Sequence, residues 1–488
     1  MTNGEPDRSE ISAGDGADHL LYPFGFLIGD AAAWVPSHFI PLDEPGIRIS
    51  IHPWTQVRCV DLGGERVLII GEHLHPDDTG GDDDFVARHF PAERSLQQAF
   101  IDRLIGRFVV IRIRTSDRSV SIQTDAIGLR AVYFSRAPGS CIAGSHAGLV
   151  ARARAGAPVS AAALPHKWGY PGMSTPFPGV LRVPPNCELF LDDGALQRFF
   201  PLDPVPPCAL ETAWDFALDQ AGRAMRLLAS RNRILMSLSG GLDSRTTLAA
   251  ARPVWDRVEF FTYHETGSNP ERLRIDLHIA RDIVARLGLR HTELAMSRFQ
   301  PPPEALLALR ENVFTRHMHG VASAYLTVFA CREYVHVRSN LLELFRAGTR
   351  TDPPASGGAV IVSPPDSASA AANHYLSRGK FAQSGHEHVL SAFEQFFAET
   401  DFARACSMVS PWDLYFIEHR MGAWQAGVVA ESDLAFDTVI AFNSRAIIRR
   451  FLGVPERERR DTRYLESWIA ASVPEIADIP VNPDTYPL

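Results

Sequence analysis

Lysine is almost missing from this chain of 488 residues: Lys167 and Lys380 are the only two, and the other basic positions are arginine. With no lysine after any glycine loop, a Walker-type phosphate loop, Gly-x-x-x-x-Gly-Lys-Ser/Thr, is excluded. Cysteine is sparse as well. Six are scattered, at 59, 141, 187, 208, 331 and 406, and none forms a C-x-x-C pair, so neither a zinc knuckle nor a disulfide framework is signalled. No apolar run approaches the length that crosses a bilayer. The first eighteen residues are polar and acidic, unlike a secretory or transit peptide. A net charge of -9 argues against a general nucleic-acid binder, which needs basic stripes for phosphate backbones. What remains, 45% hydrophobic and 22% charged, fits a cytoplasmic enzyme of two to four domains.

The most informative segment is Ser239-Gly240-Gly241-Leu242-Asp243-Ser244. It follows an apolar run through Leu235 and Ser237 and precedes a helical stretch from Arg245. Strand, glycine turn and helix in that order form an anion site. Glycines without a Cβ let the backbone approach a bulky anion, and the loop N–H groups and helix N-terminus present positive partial charge to it. Ser239 and Ser244 can donate to phosphate oxygens, and Asp243 can hold a magnesium ion. The pattern resembles the PP-loop of ATP pyrophosphatases, and the resemblance implies ATP and Mg2+ as cofactors, with ATP split between its α- and β-phosphates.

The chain divides near residue 205. Residues 1–18 read as a disordered tail. Residues 19–204 are strand-rich, with runs such as Arg66–Ile70, Phe108–Ile113, Ser119–Gln123 and Ala131–Ser135, and a helix from about Ala92 to Ile105 ending at Gly106. A proline-rich linker, 201–207, follows. Residues 205–488 alternate strand and helix: a strand at Val258–Tyr263, a helix from Asn269-Pro270 with Gly288 beyond its end, helices near Ala305–Val313 and Val321–Tyr334, and a third strand at Val335–Arg338. Alternation of this kind predicts a parallel α/β sheet whose ligands sit at the strands' carboxyl ends. There Ser239, the Thr262-Tyr263 end and the Ser339-Asn340 end would line one crevice. The Pro/Ser/Gly/Ala-rich stretch 348–372 reads as a lid or an insertion, with insertion favoured.

Several segments resemble the asparagine synthetase family. They are Gly106-Arg107-Phe108, the run Asp125 to Phe134, Thr175 to Val180 with Val183 to Asn186, and Leu287 to His291; Arg420-Met421 and Ala441 to Arg445 match faintly. The resemblance implies an α+β fold for the first half, an Ntn-hydrolase-like sheet domain, and a PP-loop synthetase domain with a helical C-terminal part for the second. The departures bear on activity. Glutamine-using members need a cysteine as mature residue one, where this chain has Thr2 in a polar tail, so the first domain is expected to lack glutaminase activity. In this the chain is similar to β-lactam synthetases and lasso-peptide cyclases.

The family's second metal-binding aspartate falls at Leu342. Glu343 is the neighbouring carboxylate for a metal, and Arg338 or Arg346 can neutralise pyrophosphate charge; a structural Arg338–Glu343 ion pair is the bland alternative. The family's C-terminal lysine is missing, and Arg457, Arg459, Arg460 and Arg463 either substitute or form a solvated face. Tyr415, Glu418, Glu431 and Asp437 are of the right type for an amine base, with none assigned, and His419 reads as a satisfied helix histidine. Adenine is expected near Leu235, Phe261 and Ser339, and catalysis at Asp243, Glu343 and Arg346.

The resulting expectation is an AMP-forming amide ligase that adenylates a small-molecule or peptide carboxylate and transfers the acyl group to an amine. The alternatives are an ammonia-using asparagine synthetase and an impaired nucleotide-binding scaffold. A second copy of the chain and a protein of the same biosynthetic cluster are the partners left open; nucleic acid and membrane are not expected.

Overall fold

The computed structural model describes residues 17–42, 44, 46–80, 84–157, 159, 169–265, 270–315, 317, 319–329, 333–348, 363–378, 385–483 and 486. Lys167, Lys380, Cys331, Thr2, nearly all of the expected tail and most of the 348–372 stretch lie outside those residues. Among the described residues, no helix is long and apolar enough to cross a membrane.

The first half holds two antiparallel sheets. One contains β1 (Phe26–Ile28), β2 (Ile40–Leu42), β3 (Ile49–Ile51), β8 (Tyr133–Ala137), β9 (Ser140–Gly144) and β10 (Leu181–Arg182), in the order β10-β8-β9-β1-β3-β2. The other contains β4 (Val57–Asp61), β5 (Glu65–Leu74), β6 (Ile105–Arg114), β7 (Val120–Thr124), β11 (Cys187–Phe190) and β12 (Leu196–Arg198), in the order β12-β11-β7-β6-β5-β4.

Alternation along β5 and β6 builds the layers. Leu68, Ile70, Val109 and Ile111 join Phe26, Ile28 and Ile49 in one cluster, so the two sheets pack face to face. Val67, Ile69, Phe108 and Val110 point the other way, onto Val86 and Ile101 of the helices Phe85–His89 and Arg94–Arg103. The helix Ala147–Ala155 covers the far face of the first sheet through Leu149 and Val150. The order is helix, sheet, sheet, helix.

The expected helix end at Gly106 is corrected. The helix stops at Arg103, and Gly106 lies inside β6 opposite His73 at φ 146°. A Cβ there would stand 2.2 Å from the Glu72 carbonyl, so the glycine serves strand approach rather than a cap.

The second half is built on a parallel sheet: β13 (Arg233–Ser237), β14 (Val258–His264), β15 (His291–Ala295), β16 (Tyr334–Arg338) and β17 (Asp437–Ile440), in the order β15-β14-β13-β16-β17. Two strands went unforeseen. His291–Ala295 precedes the strand expected to be third, and β17 closes the edge. Ile234, Met236, Phe260 and Val337 face a cluster containing Trp214, Ile279 and Ile283, while Leu235 and Phe261 face Tyr325 and Phe436. Helices therefore cover both faces. The helix expected over 321–334 spans His319–Phe329, because Tyr334 already pairs in β16. The end of the 348–372 stretch is also helical: Ala368 begins a helix whose Ser367 side chain accepts from the Ala370 N–H.

Buried polar contacts join the halves. Arg107, 3% exposed, reaches Asp433 at 2.5 and 2.8 Å and Asp437 at 3.0 Å. Arg198 grips Glu418 with both terminal nitrogens at 2.6 and 3.0 Å. Asn443 donates to the Gly106 carbonyl at 2.6 Å and to Asp125 at 2.9 Å. Paired in this way, charges can be held out of water without a ruinous desolvation cost.

Candidate functional site

In the parallel sheet, strand order reverses between β13 and β16, the strands that flank the turn from which the chain winds both ways. Crevices open at such switch points beyond the carboxyl ends of the strands. Here a cleft of about 390 Å³ lies at that position. Ser237, Ser239, Gly241, Leu242, Asp243 and Ser244 line it from the β13 end. Phe261, Thr262 and Tyr263 come from β14, and Arg338, Ser339, Asn340 and Arg346 from the β16 side. The three strand ends expected to share a crevice do so.

The loop is internally braced. The Ser239 N–H donates to Ser244 Oγ at 3.0 Å, the Gly240 N–H to Asp276 Oδ1 at 3.0 Å, and the Gly241 N–H to Ser239 Oγ at 3.3 Å. The two glycines differ in what they do. A Cβ on Gly240 would stand 2.7 Å from Ile279 Cδ1 and 3.0 Å from Asp276 Oδ1, so the helix Pro270–Leu287 packs closely on that glycine. Gly240 does not line the cleft, and its N–H is taken by Asp276. A Cβ on Gly241 meets nothing nearer than 3.4 Å. There it would make ordinary contacts with Asn482 and Ser239, so no protein atom crowds Gly241.

Asp243 stands in the first turn of the helix Leu242–Ala250. Its Oδ1 accepts from Arg346 Nη2 at 2.6 Å, and both side chains are about one-quarter exposed. Burial pushes the Asp243 carboxyl up to about 7, and the nearby Glu343 charge adds to the rise, while Arg346 opposes it. The alternative Arg338–Glu343 pair is absent. Arg338 Nε instead donates to Asn340 Oδ1 at 2.9 Å, and Gln425 Nε2 donates to the same oxygen at 3.3 Å. Gln425 ends a π-helical stretch, Phe416–Gln425, which no sequence signal announced. The turn after β16 holds Leu341 at φ 85°, a left-handed conformation that is uncommon for leucine. Leu342 is fully buried in the core and does not face the cleft.

Four polar atoms around this turn are buried without a hydrogen-bond partner: Arg338 Nη1, Ser339 Oγ, Glu343 Oε2 and Arg346 Nε. Unsatisfied buried groups are costly, and their concentration at a cleft marks where a polar ligand belongs.

Other expectations fail for reasons of position. Leu235 is fully buried beneath Phe261 in the cluster under the sheet and does not reach the cleft. Glu343 is not on the cleft wall, although its charge acts on Asp243. The base candidates are spent elsewhere. Glu418 pairs with Arg198, Asp437 with Arg107 and Arg130, and Glu431 accepts from Thr315 and the His317 N–H. Tyr415 is buried and stacked on His419, whose ring meets the Tyr170 carbonyl at 3.1 Å. Arg459 is buried between the Leu344 carbonyl and Asp413, while Arg460 and Arg463 pair on the surface with Glu456 and Asp461; no arginine of the 457–463 set lines the cleft. Leu273, Asp276 and Asn482 do line it and were not foreseen.

No family model matches the chain, and no curated protein matches it. Among solved structures, glutamine phosphoribosylpyrophosphate amidotransferase from B. subtilis, complexed with ADP and GMP, is 12% identical, covering 68% of this chain and 72% of that one at a TM-score of 0.22. A structure described as the allosteric regulatory enzyme of purine biosynthesis is 11% identical over 66% of this chain and 70% of the other, at a TM-score of 0.23. At these scores neither likeness carries an argument about this chain's fold or activity.

Proposed function

We propose that the protein is an ATP-dependent, AMP-forming amide ligase of the asparagine synthetase type, with an Ntn-like first domain that has no glutaminase role. The observation that carries this reading is the set of unpartnered buried polar atoms beside a strand–glycine turn–helix at the switch point of a parallel sheet. A nucleotide triphosphate offers acceptors for Arg338, Arg346 and Ser339 in one ligand.

The residues present also fit a magnesium ion. Among the described residues no cluster of three or more metal-ligating side chains exists, but magnesium bound with a nucleotide needs only one or two carboxylates, with phosphates and water completing its shell. Asp243 is the carboxylate on the cleft wall that would hold it. When bound, magnesium neutralises charge on the leaving diphosphate.

The chain's own groups divide the remaining work. Ser239, Ser244 and the Gly241 side of the loop seat the β- and γ-phosphates. Arg346 and Arg338 take up negative charge as the bond from the α-phosphorus to the diphosphate breaks. A substrate carboxylate oxygen forms the new bond to the α-phosphorus, giving an acyl-adenylate and pyrophosphate. An amine then attacks the acyl carbon, AMP leaves with that oxygen, and the amine gives up a proton. The test is ATP–pyrophosphate exchange across a panel of carboxylates. Exchange in the wild type and its near-abolition in a folded Asp243→Ala variant support the reading; ADP and orthophosphate as products overturn it.

A second reading, a nucleotide-binding scaffold without turnover, is favoured by one contact: Arg346 occupies Asp243 Oδ1. ATP binding with no pyrophosphate release on any carboxylate selects it.

A further inference from the structure

One wall of the cleft comes from a part of the chain far from the glycine loop in sequence. Asn482 lines the cleft beside Gly241, and its Oδ1 and Nδ2 would lie 3.4 and 3.9 Å from a Cβ placed on that glycine. The Asn482 N–H donates to the Gly240 carbonyl at 3.2 Å, which docks this residue directly on the loop.

The segment around it is held from below. Arg245, buried in the helix that follows the loop, donates to the Ile479 and Pro480 carbonyls at 2.6 Å each. Arg272 donates to the Pro483 carbonyl at 2.9 Å and to Asn482 Oδ1 at 2.5 Å. With Oδ1 engaged by Arg272, the amide is oriented and its Nδ2 donor has no partner among the described residues.

We infer that Asn482 is a phosphate-binding residue of the nucleotide cleft, supplied by a 479–483 strap whose docking is set by Arg245 and Arg272. The inference rests on the nucleotide reading above and extends it. The oriented Nδ2–H donates to a phosphate oxygen seated beside Gly241, the one glycine of the pair whose Cβ position meets no atom closer than 3.4 Å. The ligand class is therefore the polyphosphate end of the nucleotide and not its base or sugar. Arg272 has a positioning role: it holds the amide so that the donor, not the carbonyl oxygen, meets the anion.

The test compares Mg-ATP and adenosine binding to the full chain by titration calorimetry, in the wild type and in Asn482→Ala and Asn482→Asp variants. Asn482 is exposed, so neither substitution removes core packing. The expected result is a loss of Mg-ATP affinity of about tenfold or more in Asn482→Asp, where a donor becomes a like charge, and a smaller loss in Asn482→Ala, with adenosine affinity unchanged in both. Equal weakening of adenosine and Mg-ATP overturns the inference, as does wild-type Mg-ATP affinity in both variants. A wild-type protein that binds neither ligand overturns the nucleotide reading itself, a result distinct from either.

Discussion

Arg346 and Asp243 lie 103 positions apart, yet the guanidinium donates to the carboxylate at 2.6 Å across the switch point of the parallel sheet. The pair joins the turn after β16 to the first turn of the helix after the glycine loop. It also sets the charge state of the residue best placed to meet a metal, since Arg346 counters the burial that raises the Asp243 carboxyl.

The folded-state value of about 7 for Asp243 lies above its unfolded value of 3.8. Between those pH values the folded chain holds the proton more tightly, so stability falls as pH rises through the window and the penalty is complete above about pH 7. Asp243→Asn is therefore expected to stabilise the fold by on the order of 1 kcal/mol at pH 8, part of the gain being offset by the unpaired Arg346, and to give no gain near pH 4. Urea denaturation of both proteins at the two pH values measures the difference; an equal gain at both would contradict it.

On the proposed reading, the same carboxyl must be ionised to take magnesium. Mg-ATP affinity in the wild type is expected to climb up to tenfold per pH unit below about 7 and to level off above it. In Asp243→Asn that limb disappears. Titration calorimetry at a series of pH values reads both curves.

On the proposed ligase reading, Arg346→Ala removes the cation assigned to the leaving diphosphate. The expected loss in ATP–pyrophosphate exchange is roughly a hundredfold or more, corresponding to about 3 kcal/mol of barrier. An increase in exchange rate would show that the ion pair obstructs Asp243 rather than serving the reaction.

The two glycines separate packing from ligand approach. Gly240→Ala places a Cβ 2.7 Å from the end of the Ile279 side chain and 3.0 Å from Asp276 Oδ1, ends that can shift, and is expected to cost no more than about 1 kcal/mol of stability. Gly241→Ala meets no protein atom closer than 3.4 Å and is expected to leave the melting temperature near wild type while weakening Mg-ATP. Thermal melts and nucleotide titrations on the pair distinguish the roles.

Arg198→Met strands the fully buried Glu418 without its partner at the junction of the halves. Breaking one member of such a pair costs about 3–5 kcal/mol. A denaturation midpoint equal to wild type would show that the remaining hydrogen bond to Glu418, donated by Asn186 Nδ2 at 2.9 Å, compensates it.

Legibility followed how local each feature is. The long strands β5 and β6 were readable because each carries a continuous apolar run of mostly β-branched residues, Val67 to Ile70 and Phe108 to Ile111, buried on both faces and bounded by turn residues. The edge strand β17, Asp437–Ile440, was not: it is four residues long and carries Asp437 and Thr438, so it shows no such run. Gly106 looked like a helix end because glycine punctuates both caps and bulged strands, and only the approach of Glu72 decides which. The base candidates were of the right residue types, but Glu418, Glu431 and Asp437 are drawn inward by arginines and hydroxyls from distant segments.

By itself the sequence determined the strand–glycine turn–helix of residues 239–244, because strand, paired glycines and helix N-terminus are set by six consecutive residues and short-range sterics. Tertiary structure alone decided which side chains face that loop. Arg346 reaches Asp243 because β16 pairs beside β13, Glu343 and Leu342 are sorted between charge and core by one turn after β16, and Asn482 arrives through a strap tied down by Arg245 and Arg272. Contacts between residues more than a hundred positions apart leave no periodic trace in sequence, since they depend on strand order and packing rather than on local backbone preference.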